Sequence, residues 1–523
     1  MIQNTLKKIT FSGFVLICFY IIFWGLIIRA NLHRIGSFAF FDEYSTYVTG
    51  FFMLKGRTLF DQVFLNHQPL LSYFSYVMQM VLKPESFYVL ATQHRISVLV
   101  FSIICSLLLV FRFRYIGIAF TIFFELTKFY LFGSLFLAES VIVYPIAYMT
   151  GLIVLGNDKK FEVRSTDVII SSVLAWFVIF MREPYAPLAI FQFIVILYLY
   201  KNKKIRSIAI SLFGVLSTIT LATLPLKEYY YQLVTINANS VGGAELESNN
   251  IFGTGVLKVF FYPIYIFISG EANFFRLILI ILSVIFIVLF GWFIFRKKQY
   301  IVAFLIFITL GLANIRFIEP GQIYFVAFHM LPWMAVFLMM IFSLLYFFRK
   351  SVSIQMTVPI FVCLFIILGI GVFQKDTFIL KRVNKESEFN DNYIRFRTNG
   401  EVIKRLSSPE DKLFVDMSDS LVHYYAGLDS SYKYAFFYPV MSGDKKYITE
   451  REMMFEGTPP EFYYFNCFEG ASEKLRVSES ILKNYNEFKQ GKMGTCLFVR
   501  KDVLNKQPKE KLESLNEFNY TIN

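Results

Sequence analysis

Residues 41–71, FDEYSTYVTGFFMLKGRTLFDQVFLNHQPLL, hold an unusual number of ionisable side chains between two strongly apolar segments. One apolar run ends shortly before this stretch and another begins after it, so the stretch is predicted to be a loop between two membrane spans. Loops that carry such groups are frequent places for binding and catalysis. We therefore interpret this loop as the centre of a functional site. Its ionisable residues are Asp42, Glu43, Arg57, Asp61 and His67.

The composition of the whole chain indicates an integral membrane protein. Of its 523 residues, 56% are hydrophobic, 19% are aromatic and 17% are charged, whereas about a quarter of the residues in soluble domains are charged. The net charge of +13 could indicate nucleic-acid binding, but the basic residues form short runs between apolar segments, as topology signals do. We therefore predict no nucleic-acid partner.

Apolar runs of about 17 to 25 residues predict about eleven transmembrane helices. The first, near residues 11–28, follows Lys7 and Lys8 and is predicted to be a retained signal anchor, because no small-x-small cleavage site follows it. The two spans that meet at residues 181–184 could also form a single kinked helix. The remaining spans lie near 92–111, 115–133, 137–155, 167–182, 184–200, 205–224, 274–295, 299–316, 323–348 and 354–373.

The basic runs predict the orientation of the chain. With about eleven spans, all of these runs fall on one side of the membrane, as the positive-inside rule requires. We therefore predict a cytoplasmic N-terminus and an outer position for the loops 31–91, 225–273 and 316–322 and for the tail. The runs are Lys7 and Lys8, Arg112 and Arg114, residues 159–164, 201–206 and 296–298, and Arg349 and Lys350.

The chain is predicted to have two domains, a transmembrane domain over residues 1–374 and a soluble extracytoplasmic domain over residues 375–523. In the tail, residues 401–406 are predicted to be helical, and Lys412–Asp416 and 495–500 are predicted to be strands, which indicates a small mixed α/β domain. The fold class is therefore an α-helical polytopic membrane protein with a C-terminal α/β domain.

Two further features concern the outer regions. The polar stretch VGGAELESNN at residues 241–250 is predicted to be a flexible lid, and the short apolar segment at 256–269 is predicted to be an interfacial or re-entrant helix. Of the five cysteines, Cys18, Cys105 and Cys363 lie in apolar spans. Cys467 and Cys496 lie in the tail and could pair if it faces an oxidising compartment.

Ionisable residues near the outer ends of separate spans form the main candidate site. Charges at the membrane boundary are costly, so their convergence on one side predicts a shared polar cavity. No comparable set is expected on the inner side. The residues are Asp42, Glu43, Arg57, Asp61, His67, His94, Arg95, Glu125, Lys128, Glu139, Arg182, Glu183, Arg316, Glu319 and His329.

The order of several short motifs carries a resemblance to a known family. An Asp-Glu pair follows the first helix, a glycine follows within about ten residues, and His67, Gln68 and Pro69 form a His-x-Pro motif before the second helix. This order resembles the first outer loop of the GT-C glycosyltransferases, in particular the protein O-mannosyltransferases and the bacterial lipid A aminoarabinose transferase. Further matches are Arg95, Glu139, Arg182, the run from His329 to Pro332, and GEVIKRLSSPEDKLFV in the tail.

The resemblance implies a GT-C type fold and transfer of a sugar from a polyprenyl phosphate, with inversion, to a glycan, lipid or protein acceptor. An acceptor hydroxyl or amine would attack the anomeric carbon, so a carboxylate must take its proton. That role falls to Asp42, with Glu43 as the alternative. The leaving phosphate needs positive charge, for which the candidates are Arg182, Arg95 and His67. The other predicted substrate-binding residues are Glu139, His329 and Arg57.

This assignment requires no cofactor, although the acids and the histidine of the first loop could bind a divalent metal. The expected partners are the lipid-linked donor, the acceptor and membrane lipids. Two departures from the family pattern leave the donor sugar open: Glu139 stands where the family has Asp, and Gln68 where many relatives have Pro or Lys.

Each site residue also has a structural interpretation. Asp42 and Glu43 could be the N-terminal acids of a helix that begins near Tyr44, and His67 could cap a helix. Arg95 and Arg182 could extend to lipid headgroups, and His329 could be a packing histidine. Glu139 lies in an apolar stretch, where a carboxylate needs a partner. The structural interpretation applies most directly to Glu125, Lys128, Arg316, Glu319, Arg57 and Asp61.

Two other functions fit the same composition. A transporter or flippase for lipid-linked sugars would place polar groups along a path across the membrane, whereas here the ionisable residues gather on one side. A polymerase or ligase that uses lipid diphosphate donors is not separated from the first hypothesis by sequence.

Overall fold

Most of the described part of the chain before the tail is α-helical. The computed structural model describes residues 11–37, 41–156, 158–237, 274–314, 327–348, 362, 365–366, 368–370, 372, 385–416, 419–465, 479–491 and 493–522. The helices are α1 (Phe11–Leu32), α2 (Phe41–Leu54), α3 (Leu70–Leu82), α4 (Phe87–Phe113), α5 (Tyr115–Thr127), α6 (Ala138–Leu155), α7 (Ser165–Met181), α8 (Ala186–Leu199), α9 (Lys203–Ala222), α10 (Leu226–Tyr230), α11 (Phe274–Lys297), α12 (Tyr300–Ala313) and α13 (Leu331–Phe348).

The tail forms a small α/β domain. Its elements are α14 (Glu386–Asp391), α15 (Ile394–Leu406), β1 (Lys412–Asp416), α16 (Leu421–Ala426), β2 (Asp429–Ser430), α17 (Lys445–Gly457), β3 (Phe462–Phe465), α18 (Glu479–Leu482), β4 (Tyr485–Gln490), β5 (Met493–Arg500), α19 (Lys501–Leu504), α20 (Lys509–Glu513) and β6 (Tyr520–Ile522). The strands form one sheet of order β2-β1-β3-β5-β4-β6. β1 runs parallel to β2 and β3, and the other pairs are antiparallel.

The predicted fold class is confirmed, because apolar helices are followed by an α/β tail. Each span predicted within the described residues lies on a helix, and both predicted strands of the tail are present. Five described helices are long and apolar enough to cross a membrane, and five shorter apolar helices accompany them. Near residues 181–184 the chain forms two helices, α7 and α8, which pack against each other. A short 3-10 turn at Glu183–Tyr185 separates them.

Several predictions concern residues outside the described ranges. They are the lid at 241–250, the interfacial helix at 256–269, the loop at 316–322 with Arg316 and Glu319, and most of the span at 354–373. Cys496 is disulfide-bonded and Cys18 and Cys105 are free thiols, but the predicted partner Cys467 also lies outside the described residues.

Contacts divide the chain into two compact units. The first unit comprises Met1–Phe38, Thr92–Ile219 and Ile251–Lys385, and the second comprises Ala39–Ala91, Thr220–Asn250 and Glu386–Asn523. The first outer loop thus belongs to the same unit as the tail. The predicted domains 1–374 and 375–523 stay a prediction.

The first unit is organised around α6 and α13. Every residue of α6 is buried, and a helix that is apolar on all sides must be surrounded by other helices. α6 packs against α7, α8, α12 and α13, and α13 packs in turn against α5, α11 and α12.

A buried ion pair lies at the end of this unit that is predicted to be cytoplasmic. The Arg112 Nε donates to Asp167 Oδ1 over 2.7 Å, and the Tyr148 hydroxyl donates to the same oxygen over 2.7 Å. This single pair is smaller than the set of ionisable residues predicted for the outer side, so the expectation of no comparable set on the inner side stays a prediction. Sequence showed Arg112 only as a member of a basic run, because its partner Asp167 belongs to a different helix.

The second unit joins the first outer loop to the tail. The residues predicted as a loop contain two short helices, α2 of 14 residues and α3 of 13 residues. After α2, the Arg57 Nε lies 2.6 Å from Asp429 Oδ1, and its Nη1 donates to the Tyr432 carbonyl over 2.9 Å. Gln232 accepts from the Leu65 amide over 2.9 Å and donates to the Phe60 carbonyl over 2.6 Å.

Gly50 allows α2 and α3 to approach closely. A Cβ atom at this position would lie 2.6 Å from Gln79 Nε2 and 2.9 Å from Ser75 Oγ. Gln79 cannot move away freely, because its Nε2 donates to the Tyr47 carbonyl over 2.8 Å and to Ser75 Oγ over 3.0 Å.

We predict that Gly50→Val lowers the free energy of unfolding by about 1–3 kcal/mol, because the added methyl groups force the two helices apart. Thermal unfolding of the purified full chain in detergent measures the effect. Gly25→Val is the matched control, since no atom lies within 4 Å of a Cβ built at Gly25. Equal stability of the two variants would contradict this role for Gly50.

His423 makes the second unit sensitive to acid. Its ring is fully buried and meets the Phe52 ring edge-to-face at 4.9 Å. Burial lowers the pKa of His423 to about 3, well below the usual value of about 6.5. Between these two pH values the unfolded chain binds the proton and the folded chain does not, so stability falls as the pH falls below about 6.5.

We predict that the wild-type chain loses stability between pH 7.5 and pH 5 by up to about 1.4 kcal/mol per pH unit from this residue. His423→Leu removes the titrating ring and should reduce that loss. Thermal unfolding of both proteins at the two pH values measures the difference. Identical pH dependence of the two proteins would show that His423 does not contribute.

Candidate active site

A cavity of about 280 Å³ in the second unit brings two of the predicted site residues together. Asp42 and His67 both line it, together with other side chains of the first outer loop and with residues of the tail. The complete lining is Asp42, Ser45, Thr49, Phe64, Leu65, Asn66, His67, Phe436, Tyr438, Pro439 and Val440.

Asp42 lies in the first turn of α2, so the alternative that the two acids are helix N-terminal residues is correct as to their position. This position does not exclude a chemical role, because Asp42 lines a cavity from the first turn of the helix. Asp42, Ser45 and Thr49 follow at helical spacing, which places all three on one face of α2 and in one cavity. Asp42 is half-buried.

Glu43 differs from Asp42 in its surroundings. The next residue on a helix is rotated by about 100°, and Glu43 is fully buried and does not line the cavity. The geometry therefore favours Asp42 over Glu43 as the residue that meets a substrate.

His67 reaches the cavity from the segment that joins α2 to α3. The segment is held by the second unit's own polar contacts: the Leu65 amide donates to Gln232 over 2.9 Å, and the Asn66 side chain donates to Asn237 over 3.1 Å. The N-cap position of α3 is Pro69, two residues after His67.

Three predicted residues meet in the first unit. The Arg182 Nε donates to Glu139 Oε1 over 2.8 Å, and His329 Nδ1 lies 3.0 Å from the same oxygen. Glu139, Arg182 and His329 are all buried, and the Tyr185 hydroxyl donates to the His329 carbonyl over 2.8 Å. The partner that a carboxylate in an apolar helix requires is therefore present.

Arg95 and Arg57 have extensive contacts with the backbone. The Arg95 Nη1 donates to the carbonyls of Ile35 and Ser37, the latter over 2.7 Å, and holds the turn that follows α1. Arg57 binds Asp429 and carbonyl groups of the tail. Asp61 is exposed. These contacts agree with the structural interpretation of Arg57, while its predicted role in binding substrate stays a prediction.

Glu125 and Lys128 form the structural pair that was expected of them. Their charged groups lie 2.6 Å apart, and the Tyr144 hydroxyl donates to Glu125 Oε1 over 2.6 Å. His94 is buried and meets the Phe136 ring edge-to-face at 4.7 Å.

Sequence reasoning missed most of the cavity wall. Ser45 and Thr49 could have been found from the helical spacing that begins at Asp42. Phe436 and Tyr438 had no local signal, because only tertiary contacts bring this part of the tail to the first loop. Among the residues that the structure describes, no three histidine, cysteine, aspartate or glutamate side chains gather as metal ligands.

Comparisons with known proteins give one solved structure. No protein-family model matches the chain, and no curated protein matches its sequence. The crystal structure of ArnT from Cupriavidus metallidurans bound to undecaprenyl phosphate matches at 11% identity with a TM-score of 0.47. The match covers 94% of this chain and 98% of that chain.

The composition and the described helices define the class of protein. The chain is a helical membrane protein with a C-terminal α/β domain. The number of spans in the membrane and the orientation of the termini stay predictions.

We predict that Glu139→Gln lowers the free energy of unfolding by about 3 kcal/mol, because it removes a counter-charge from the buried Arg182 guanidinium. Combining Glu139→Leu with Arg182→Leu should restore much of this loss, since no buried charge is then left behind. Thermal unfolding of the full chain measures both changes. Glu183→Gln is the matched control, because its carboxylate lies farther from Arg182, at 3.9 Å, and is more exposed than that of Glu139, so it should cost less stability.

Proposed function

We propose that this protein is a membrane glycosyltransferase of the GT-C type that transfers a sugar from a polyprenyl phosphate to a cell-envelope glycan, lipid or protein on the outer face. The observation that carries the proposal is the cavity that holds Asp42. It combines a carboxylate at a helix N-terminus, hydroxyl and amide side chains, a histidine and an aromatic wall. The resemblance of the first outer loop to that family supports the same conclusion.

The reaction assigned to this cavity is a single displacement with inversion. The hydroxyl or amine of the acceptor attacks the anomeric carbon while Asp42 accepts its proton. The bond between the anomeric carbon and the phosphate oxygen breaks, its electron pair stays on that oxygen, and polyprenyl phosphate leaves. Asp42 is the proposed base, and Glu43, which is buried away from the cavity, is the alternative.

His67 of the second unit and Arg182 and Arg95 of the first unit are each proposed, separately, as candidates for binding the leaving phosphate. His67 lines the same cavity as Asp42, so it is the best supported of these candidates for binding the phosphate. A guanidinium carries five donors, so the bond between Arg182 and Glu139 is compatible with phosphate binding by Arg182. Arg95 is proposed for the same role, although it already donates to two backbone carbonyls. Glu139 and His329 are proposed to position Arg182.

The proposed outer location has two independent lines of support. The basic runs fall on one side of the predicted spans, as the positive-inside rule requires. In addition, Cys496 in the tail is disulfide-bonded, and disulfide bonds are typical of oxidising compartments. Both support an extracytoplasmic tail and, with it, an extracytoplasmic cavity.

A direct assay separates this proposal from its rivals. Membranes that contain the full chain are mixed with an envelope fraction and with undecaprenyl monophosphate or diphosphate carriers of the same sugar. Release of undecaprenyl phosphate from the monophosphate carrier supports the proposal. Use of the diphosphate carrier alone would favour a polymerase or ligase, and movement of the carrier between leaflets without release would favour a flippase.

We predict that Asp42→Asn reduces transfer by about 100-fold or more, because a positioned base contributes about 10²–10⁴-fold to the rate. The release assay measures the loss, and binding of the lipid-linked donor should change little. Asp61→Asn is the matched control, since it removes an exposed carboxylate of the same loop that does not line the cavity. Full activity of Asp42→Asn together with inactivity of Glu43→Gln would transfer the role of base to Glu43.

A further inference from the structure

We propose that the wall that binds the transferred sugar consists of Phe64 and of the tail residues Phe436, Tyr438, Pro439 and Val440, and that the tail thereby selects the donor. This inference rests on the proposed function and goes beyond it, because it gives the tail a role and names the part of the substrate that it contacts. The contacts on which it depends all lie within the second unit.

The wall is aromatic and faces polar side chains. The Phe436 and Tyr438 rings have centroids 4.4 Å apart, and the Phe64 ring lies 6.1 Å from Tyr438 in an edge-to-face arrangement. The same cavity is lined by Asp42, Ser45, Thr49, Asn66 and His67. A sugar ring presents C–H groups on its faces and hydroxyl groups at its edge, so it requires both kinds of surface at once.

The size of the cavity indicates how much of the donor it holds. Its volume of about 280 Å³ lies near the lower limit of ligand pockets, which is about 300 Å³. A volume of this order accommodates a single sugar residue. In this proposal the ligand is therefore the monosaccharide head of the donor.

The wall is held in place by the tail's own fold. The Phe437 amide donates to the Val415 carbonyl of β1 over 3.4 Å, and the Arg451 guanidinium lies 5.0 Å from the Phe437 ring centroid. Residues Pro439–Met441 then form a 3-10 turn. A surface positioned by the sheet in this way is suited to recognise one sugar shape rather than to adapt to many.

Tyr438 supplies the polar group of the wall. Its oxygen lies 3.4 Å from Ser420 Oγ, and burial raises the pKa of Tyr438, with the nearby Asp42 charge acting in the same direction. The phenol therefore stays protonated at neutral pH and can donate a hydrogen bond to a sugar hydroxyl. Tyr438 is a specificity residue in this proposal, and Asp42 remains the base.

The test compares the binding of the carrier with and without its sugar. The full chain in lipid nanodiscs is titrated with bare undecaprenyl phosphate and with undecaprenyl-phosphate mannose, glucose, galactose and arabinose. For each sugar, the ratio of the dissociation constant of the bare carrier to that of the sugar-linked carrier isolates the contribution of the sugar. We expect the wild type to prefer at least one sugar-linked carrier, and Phe436→Leu and Tyr438→Leu each to reduce that preference by about tenfold. Binding of bare undecaprenyl phosphate should be unchanged.

Conservative variants and controls guard against misfolding. Tyr438→Phe keeps the ring and removes only the hydroxyl, so it should change the order of preference among sugars with a normal unfolding temperature. Tyr434→Phe and Phe455→Leu make the same changes at buried tail residues that do not line this cavity, and they should keep the wild-type ratios.

The outcomes separate this inference from the proposed function. Wild-type sugar preference that persists in Phe436→Leu, Tyr438→Leu and Tyr438→Phe would overturn the role of the wall, as would a wild type that does not distinguish the carriers. If the wild type transfers sugar and the wall variants keep its preference among carriers, this inference is wrong and the proposed function stands. If the wall variants lose that preference and the wild type transfers no sugar, the proposed function is wrong and this inference stands.

Discussion

The packing of the first outer loop against the tail in the second unit depends on the contacts of Arg57. Its guanidinium pairs with Asp429 and donates to carbonyls at Tyr432 and Lys433, so one side chain joins the first outer loop to the tail just before residues 434–438. Burial raises the pKa of Asp429, but the hydrogen bond and the charge of Arg57 outweigh it and hold that pKa below its usual value. Because the cavity takes its acid from the loop and its aromatic wall from the tail, this pairing is a condition for the site itself.

The first unit meets a different constraint, which is that charges within apolar helices must be compensated. Glu139 is compensated by Arg182, Glu125 by Lys128, and Asp167 by Arg112. The paired state of Glu139 explains why an acid is tolerated at the start of α6. The hydrogen bond from Arg182 to Glu139 also orients the guanidinium. A fixed orientation is what an anion-binding role of Arg182 would require.

The two acids of the first loop have different surroundings although they are adjacent in the sequence. Asp42 and Glu43 are adjacent in sequence and chemically similar, yet the helix directs one toward the cavity and buries the other. The glycine of the same helix has an equally local effect, because it permits the close contact with α3 that sets the orientation of α2. The position of the proposed base is thus a consequence of helix geometry rather than of the loop's charge.

Sequence by itself determined the features that are encoded by neighbouring residues. The length of an apolar run directly indicates a span, and short alternating or apolar segments predicted Lys412–Asp416 and the strand that contains residues 495–500. It also indicated Asp42 and His67. It treated residues 41–71 mainly as a loop and offered the helices α2 and α3 only as structural alternatives, and it treated Arg112 as a topology signal. Phe436, Tyr438 and the pairing of Arg57 were decided only by the tertiary structure, because contacts between distant segments leave no periodic trace in either one.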